Sequence, residues 1–277
     1  KGTSDSEVMI KPVPGSSGEY QFSRLNNWRI DGEASNIVIE GFAFDGNSDI
    51  LSVEEMLATG YWDQSAQDGM GGIAINVESG EYITIRENDF HDLYQKAVNI
   101  EDGRYVKIQD NILQDVATKS LSGGHGIMRQ QGSGDFGDDI DGVYRLEITG
   151  NLIFNTYQTM PSWVPSKGYL NMVLDEGKPI LIDEVPNFEN QDQAVLISDN
   201  VIAYGQIDGI RIKPTQGLEV TNNTVYSTGE HGDGITEINT IRSETTDVFP
   251  DGVIADNLVF TLAGSQAFEL NDLVASS

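Results

Sequence analysis

The stretch VLISDNVI, residues 195–202, decides the fold, because its order of residue types recurs along the chain. Apolar residues alternate with polar ones, two polar residues follow, and then come an Asn and another apolar pair. Repetition of one short pattern is typical of a solenoid, in which each repeat forms one coil and packs on the next. Further copies are ITIRENDF 83–90, VKIQDNIL 106–113, LEITGNLI 146–153, LEVTNNTV 218–225 and, less regularly, GVIADNLV 252–259.

A second strand-like segment precedes most of these copies. A unit of strand, turn, strand, Asn turn and returning strand is one coil of a parallel β-helix, and stacked coils would bring their Asn side chains into one column. Because a buried amide can bond the backbone of neighbouring coils, we assign these Asn residues a structural role. The column comprises Asn88, Asn111, Asn151, Asn200, Asn223 and Asn257, and Phe42 takes the Asn position in IVIEGFAF 37–44. The preceding segments are GIAINVE 72–78, KAVNIE 96–101, GIMRQ 126–130, PILIDE 179–184, GIRIK 209–213 and GITEI 234–238.

The chain resembles the right-handed parallel β-helix proteins of the pectate-lyase-like superfamily. Besides the repeats, GTSDSEVMIKPVPG 2–15 and NWRIDGEASNIVIEGFAFDG 27–46 are similar to the N-terminal coils of that superfamily. The resemblance implies an all-β, right-handed parallel β-helix (solenoid) of about seven to eight coils with long loop insertions. The Ser-x-x-Glu capping box of SVEEML 52–57 predicts one short helix. We expect a single domain over residues 1–277, as a fragment of a longer secreted protein.

Composition narrows the possible partners and location. Acidic residues outnumber basic ones 44 to 16, which gives a formal net charge of −28. So negative a chain repels nucleic acid and anionic membrane surfaces, and we expect no nucleic-acid partner. No apolar run reaches the ~18–20 residues that cross a bilayer, so we expect no membrane insertion. The resemblance implies an extracellular or cell-surface protein, and the sequence leaves the oligomeric state open.

Strand alternation predicts a polar stripe on the outside of the solenoid. If Ile73, Ile75 and Val77 point into the core, then Ala74, Asn76 and Glu78 point to solvent, and the same register applies to the later coils. The long insertions on either side of these strands would form two walls, and a walled groove suits a linear polymer. The stripe comprises Asn76, Glu78, Asn99, Glu101, Met128, Gln130, Leu181, Asp183, Arg211 and Lys213. We predict Asn76, Asn99, Gln130, Asp183 and the wall aromatics Trp163 and Tyr169 as substrate-binding residues.

Two groups of carboxylates are candidate calcium ligands. GDFGDDIDG 134–142 places Asp135, Asp138, Asp139 and Asp141 within seven residues, and clustered carboxylates with Gly turns supply the oxygen ligands that calcium prefers. Glu78 and Glu101 of the stripe are the second group. The alternative for the aspartate-rich loop is a solvated acidic surface. Of the histidines, we predict His91 as a turn residue, and His125, at the entrance of a stripe strand, as a candidate for acid–base chemistry.

Two enzyme families within the superfamily suggest a function. GGHG 123–126, GDDI 137–140 and RIK 211–213 resemble motifs of polygalacturonases, which implies hydrolysis by Asp138 and Asp139, but the motifs stand here in a different order. The stripe also has the residue types of calcium-dependent polyuronate lyases, in which Lys and Arg carry out β-elimination. That resemblance implies an acidic polysaccharide as the partner, with Lys213 and Arg211 as catalytic residues, and we predict His125, from its strand-entrance position, as a third. The alternative is a non-catalytic, calcium-stabilised segment of an adhesin or matrix protein.

Overall fold

The computed structural model describes the chain between residues 7 and 270, with gaps, and the fold is that of the described residues. Their architecture is all-β: three parallel sheets of eight strands each, one short α-helix, one 3-10 turn and one two-stranded antiparallel ribbon. The described residues are 7–21, 27–50, 52–58, 72–120, 123–130, 142–160, 163–164, 169–170, 174, 176–183, 194–213, 215, 217–226, 228, 236–240, 252–261 and 266–270.

Each coil contributes one strand to each of the three sheets, and all neighbours within these sheets are parallel. The first sheet is β1 (Val8–Ile10), β4 (Ser35–Glu40), β7 (Glu81–Arg86), β10 (Arg104–Gln109), β13 (Leu146–Thr149), β18 (Val195–Ser198), β21 (Leu218–Thr221) and β24 (Gly252–Ala255). The second sheet is β2 (Glu19–Gln21), β5 (Ala43–Asp45), β8 (Asp89–Leu93), β11 (Ile112–Val116), β14 (Leu152–Thr156), β19 (Val201–Gly205), β22 (Thr224–Tyr226) and β25 (Leu258–Phe260).

The third sheet contains the segments that the sequence places before the Asn copies. Its strands are β3 (Trp28–Ile30), β6 (Ile73–Val77), β9 (Lys96–Ile100), β12 (His125–Arg129), β17 (Lys178–Ile182), β20 (Asp208–Ile212), β23 (Thr236–Thr240) and β26 (Gln266–Leu270). The ribbon pairs β15 (Trp163–Val164) with β16 (Tyr169–Leu170). Eight coils and three parallel sheets confirm the predicted parallel β-helix.

The short helix also lies where the capping box predicts it. It spans α1 (Val53–Ala58) and follows a 3-10 turn over Ser48–Ile50. Ser52 Oγ accepts the Glu55 backbone N–H at 3.2 Å, and the Glu55 carboxylate accepts the Ser52 backbone N–H at 2.8 Å. This reciprocal pair satisfies two backbone donors that a helix start leaves unpaired.

The core is a set of β-branched and aromatic stacks that run along the solenoid axis. In the first sheet, five isoleucines occupy one register position on successive coils and are at most 1% exposed. Equivalent side chains on neighbouring parallel strands lie about 4.8 Å apart, so like residues pack directly on one another. In the second sheet, the rings of Phe44 and Phe90 stack with centroids 4.9 Å apart. The five isoleucines are Ile39, Ile85, Ile108, Ile148 and Ile197.

The predicted Asn column forms a continuous hydrogen-bonded series, which we call the Asn ladder. Its members are Asn88, Asn111, Asn151, Asn200, Asn223 and Asn257, and the first five are at most 2% exposed. Each side-chain oxygen from Asn111 onward accepts the backbone N–H and the amide N–H of the preceding ladder member, at 2.9–3.1 Å. Each amide nitrogen also donates to a carbonyl of the preceding coil, as Asn151 does to Ile108 at 2.9 Å. The ladder therefore confirms the structural role assigned from the sequence.

The residue before each ladder Asn makes the turn possible. Glu87, Asp110, Gly150, Asp199, Asn222 and Asp256 all have φ between 53° and 68°. This left-handed conformation favours Gly, Asn and Asp, which five of the six positions provide. At the second coil, Phe42 has no side-chain acceptor, and its backbone N–H donates to Asn88 Oδ1 at 3.0 Å. The ladder consequently starts at Asn88.

Replacement of Asn151 by Ala should destabilise the fold by about 3 kcal/mol, because at least two buried backbone groups would lose their partners at roughly 1–3 kcal/mol each. Urea unfolding monitored by circular dichroism measures the change. Gln109→Ala, which removes an amide from an outward position on β10, is the matched control and should change the free energy of unfolding by less than about 0.5 kcal/mol. Equal effects of the two substitutions would contradict a structural role for the ladder.

Candidate functional site

The outer side of the third sheet carries the stripe that alternation predicts. Strand register aligns one outward residue of each strand in a single row, from Arg29 on β3 to Glu269 on β26. The backbone ladder continues one residue beyond the strand ends, which aligns a second outward row. We call these two rows the polar face. The first row is Arg29, Asn76, Asn99, Met128, Leu181, Arg211, Asn239 and Glu269, and the second is Glu78, Glu101, Gln130, Asp183 and Lys213.

In the N-terminal half of the polar face, amide and carboxylate side chains form a hydrogen-bonded network. The Asn99 amide donates to Asn76 Oδ1 at 2.8 Å and to Gln130 Oε1 at 3.3 Å. Glu101 Oε1 accepts from Asn76 at 3.2 Å and from Asn99 at 3.3 Å, and Glu78 Oε1 accepts from Asn76 at 3.2 Å. The structure therefore brings together five of the residues that the sequence nominates for substrate or calcium binding.

Arg211 and Lys213, the two cations of the C-terminal half, lie on the polar face as predicted, and each has an acidic partner. Lys213 Nζ lies 2.5 Å from Asp183 Oδ1, and Arg211 forms an ion pair with Asp208. The side chains of Arg211 and Lys213 are 21% and 38% exposed, so both can be reached from solvent. The Lys213–Asp183 pair is exposed enough to contribute only about 0–1 kcal/mol, so a ligand carboxylate can replace Asp183 at little cost. Asp208 is fully buried, and its pair with Arg211 would be costly to break.

Four buried ionisable residues form a further row on the third sheet, and the sequence predicted only one of them, His125. It lies at the start of four consecutive strands and consists of Lys96, His125, Lys178 and Asp208, of which the first three are register partners. All four are 6% exposed or less. Lys96 Nζ donates to Asn99 Oδ1 at 3.2 Å, so its side chain reaches the underside of the polar face.

Strict alternation misplaces this set, because Lys96 lies two residues before the core residue Val98 and should point inward. In the structure Ala97 and Val98 both belong to the core, so the alternation breaks between them and Lys96 turns outward. Ala74 and Ile75 repeat this arrangement one coil earlier, so the outward position that alternation predicts for Ala74 is wrong and its side chain lies fully buried in the core. The sequence does contain a pattern that could have identified this set: a charged or titratable residue stands at the first position of four successive strands of the third sheet.

Burial shifts the pKa of several of these groups. It lowers the pKa of Lys96 below its ordinary value of 10.5, and the nearby carboxylates, Glu176 first among them, oppose the change. Burial, followed by the charges of Lys178 and Lys96, holds the pKa of His125 well below 6.5, so this imidazole is neutral at pH 7. Burial also raises the pKa of Asp208, against the effect of Arg211. Perturbed ionisable groups concentrated on one surface are characteristic of functional sites.

His125 occupies the strand entrance that the sequence predicts, as the first residue of β12. Its Nε2 lies 3.1 Å from Glu176 Oε2, and the other oxygen of Glu176 accepts the Gly123 backbone N–H at 2.8 Å. The side chain is 3% exposed. His125 therefore lies beneath the polar face, where it holds the Glu176 carboxylate in position.

Several predicted residues fall outside the described part of the chain. Asp135, Asp138, Asp139 and Asp141 are not among the described residues, so the calcium loop stays a prediction. Trp163 and Tyr169 are described by their backbone alone, in the β15–β16 ribbon, and their role in sugar stacking likewise stays a prediction.

The outer sides of the other two sheets have a different character. The first sheet presents surface ion pairs between coils, such as Arg86 with Glu40 and Lys107 with Glu147. The second sheet exposes apolar side chains in its later coils, namely Leu152, Val201, Tyr204, Tyr226, Leu258 and Phe260. The buried ionisable row of Lys96, His125, Lys178 and Asp208 thus distinguishes the outer side of the third sheet.

Eight stacked coils with one polar and partly charged outer side define a parallel β-helix with a candidate polymer-binding surface. The chain belongs to the right-handed β-helix family, whose model, described as a right handed beta helix region, matches residues 29–248. A similar solved structure is the crystal structure of the Dettilon tailspike protein (gp208), at 13% identity and a TM-score of 0.46. The match covers 87% of this chain and 43% of the tailspike chain, so this chain spans less than half of that protein. The curated proteins contain no match.

Among the described residues, no helix has the length and apolar character needed to span a membrane.

Proposed function

We propose that the protein binds an acidic polysaccharide along the polar face and cleaves it by calcium-assisted β-elimination, outside the cell or at its surface. The observation that carries this proposal is the concentration of buried ionisable groups with shifted pKa values beneath the polar face. Each such group costs free energy to bury, and a purely structural coil has no need of it.

The dimensions of the polar face suit a polymer. Its first row crosses eight parallel strands, which at a spacing of about 4.8 Å gives a length of ~34 Å. Arg211 in this row and Lys213 in the second row are both partly exposed, in the C-terminal half of the polar face. A carboxylate on the polymer would form charge-assisted hydrogen bonds with them, replacing Asp183 at Lys213 while Arg211 keeps its buried partner Asp208. The two cations therefore act in binding.

Lys96 is a better candidate for the catalytic base than Lys213. Proton abstraction requires an amine that can be neutral near the working pH, and the burial of Lys96 moves its pKa in that direction. Lys213, by contrast, lies in an ion pair with Asp183. The Lys96 amine would take the proton at C5 of a uronate, and the electrons of that bond would form the C4–C5 double bond. The C4–O bond would break, with the leaving oxygen taking a proton from solvent water.

The amide and carboxylate network fits a calcium ion in its donor chemistry. Glu78 and Glu101 supply carboxylate oxygens, and Asn76 and Gln130 supply amide oxygens on adjoining coils. Calcium prefers six to eight such oxygen ligands, some of which water can provide. When bound, calcium would supply positive charge at the uronate carboxylate, which acidifies the neighbouring C5 proton.

The double substitution Arg211→Ala/Lys213→Ala should weaken binding of a uronate polymer about tenfold or more, because charge-assisted hydrogen bonds contribute roughly 1.5–3 kcal/mol each. Calorimetric titration with alginate, polygalacturonate and chondroitin measures the affinity. Arg86→Ala/Lys107→Ala is the matched control, since it also removes two ion-paired cations but from the outer side of the first sheet. The control should bind like the wild type. An unchanged affinity of the first double variant would refute the assigned binding face.

Lys96→Met should lower turnover about 100-fold or more while affinity changes little, because a general base contributes roughly 10²–10⁴-fold. Ultraviolet absorbance of the unsaturated product follows the reaction. Wild-type turnover should rise with pH through the pKa of Lys96, which lies below 10.5, and the variant should lack that limb. Chelation of calcium should also lower wild-type turnover.

Lys119→Met is the control for loss of a buried lysine. Burial also lowers the pKa of Lys119, but its ammonium donates to the Ser48 carbonyl, away from the polar face. This variant should keep wild-type turnover per folded molecule. Binding without turnover of any of the three polymers would contradict the lyase assignment and favour a non-catalytic binding protein.

A further inference from the structure

A second cluster of chemically active side chains lies on the outer side of the second sheet, away from the polar face. It consists of Asp45 on β5 and of His91 and Asp92 on β8. Asp45 and His91 are register partners on adjacent parallel strands, so their side chains project next to each other. All three side chains are half-buried.

A backbone feature brings Asp92 into the cluster. Phe90 and Leu93 both point into the core, with no exposed surface, so the two residues between them must both point outward. Asp92 achieves this with φ of 53°, a left-handed conformation that Asp tolerates better than most residues. His91 therefore lies within a strand, where the sequence suggested a turn residue. The same interruption recurs in the next three coils at Asp115, Asn155 and Tyr204.

The donor atoms lie close to the separation that a metal ion requires. One donor of each residue lies within 4.8 Å of the others. His91 Nδ1 is 3.1 Å from Asp92 Oδ2 and 3.9 Å from Asp45 Oδ1. Tetrahedral zinc, with bonds of about 2.0–2.1 Å, separates its ligand atoms by ~3.3 Å. Small side-chain rotations would bring all three atoms to that separation.

The donor types favour a transition metal over calcium. An imidazole nitrogen with two carboxylates suits zinc and its neighbours, whereas calcium selects oxygen ligands alone. Among the described residues, this is the one group of three His, Asp, Glu or Cys residues whose donor atoms lie within 4.8 Å of one another. Lys119, which interacts electrostatically with Asp92, donates to the Ser48 carbonyl, and Asp45 Oδ1 also accepts the Asn47 backbone N–H at 2.9 Å.

We propose that Asp45, His91 and Asp92 form a zinc site that clamps two successive coils together, because β5 and β8 are adjacent strands of the second sheet and a shared metal would join them. Water would complete the coordination, as expected for a half-buried site. This proposal is independent of polysaccharide binding, and either can fail without the other.

Calorimetric titration of chelator-treated protein with zinc tests the site. The wild type should bind one equivalent of zinc with micromolar affinity and melt at a higher temperature in its presence. His91→Gln and Asp92→Asn should each weaken binding tenfold or more. Asp89→Asn is the matched control, because Asp89 is an exposed outward carboxylate on the same strand, and it should bind zinc like the wild type.

Nuclear magnetic resonance of the imidazole nitrogens gives a second readout that does not depend on stability. The chain has three histidines, and zinc should shift the Nδ1 resonance of His91 alone. No zinc binding by the wild type, or wild-type affinity in both His91→Gln and Asp92→Asn, would overturn the proposal. Calcium binding of equal strength that His91→Gln leaves unchanged would overturn it as well.

Discussion

The Asn ladder is the interaction on which the rest of the structure depends. It lies at the turn between the first and second sheets, where each buried amide bonds the amide and the backbone of the neighbouring coil. Each coil is thereby fixed at one height relative to the next. Because parallel strands paired in this way cannot slip by one residue without turning every core side chain outward, the ladder also fixes the register of the other sheets.

Register at the ladder explains how distant residues reach one surface. Asn76 and Arg211 are far apart in sequence but occupy the same row on the third sheet. A solenoid thus turns a periodic sequence into long parallel rows of side chains. The proposed binding surface needs no dedicated domain, since the polar face arises from the outward positions of ordinary coils.

The sequence predicts the fold well because its strongest signals are local and periodic. Alternating apolar residues, the recurring Asn and the left-handed residue before it identify the coils and the ladder. The same alternation correctly places Arg211 and Lys213 at partly exposed positions on the outer side of the third sheet. Asn76 and Asn99 lie on the same side but are at most 7% exposed, where solvent-facing positions were predicted. It fails where the backbone departs from regular alternation: Lys96 turns outward beside two consecutive core residues, and Asp92 adopts a left-handed conformation within a strand. Both candidate sites use such an exception, and neither exception is visible in an apolar pattern.

The most direct test of the account is a crystal structure of Lys96→Met with a uronate oligosaccharide drawn from whichever of alginate, polygalacturonate or chondroitin binds the protein. The account predicts that the oligosaccharide runs along the polar face across several coils, with a carboxylate bound to Arg211 or Lys213. An oligosaccharide bound on the outer side of the first or second sheet, with the polar face vacant, would contradict it.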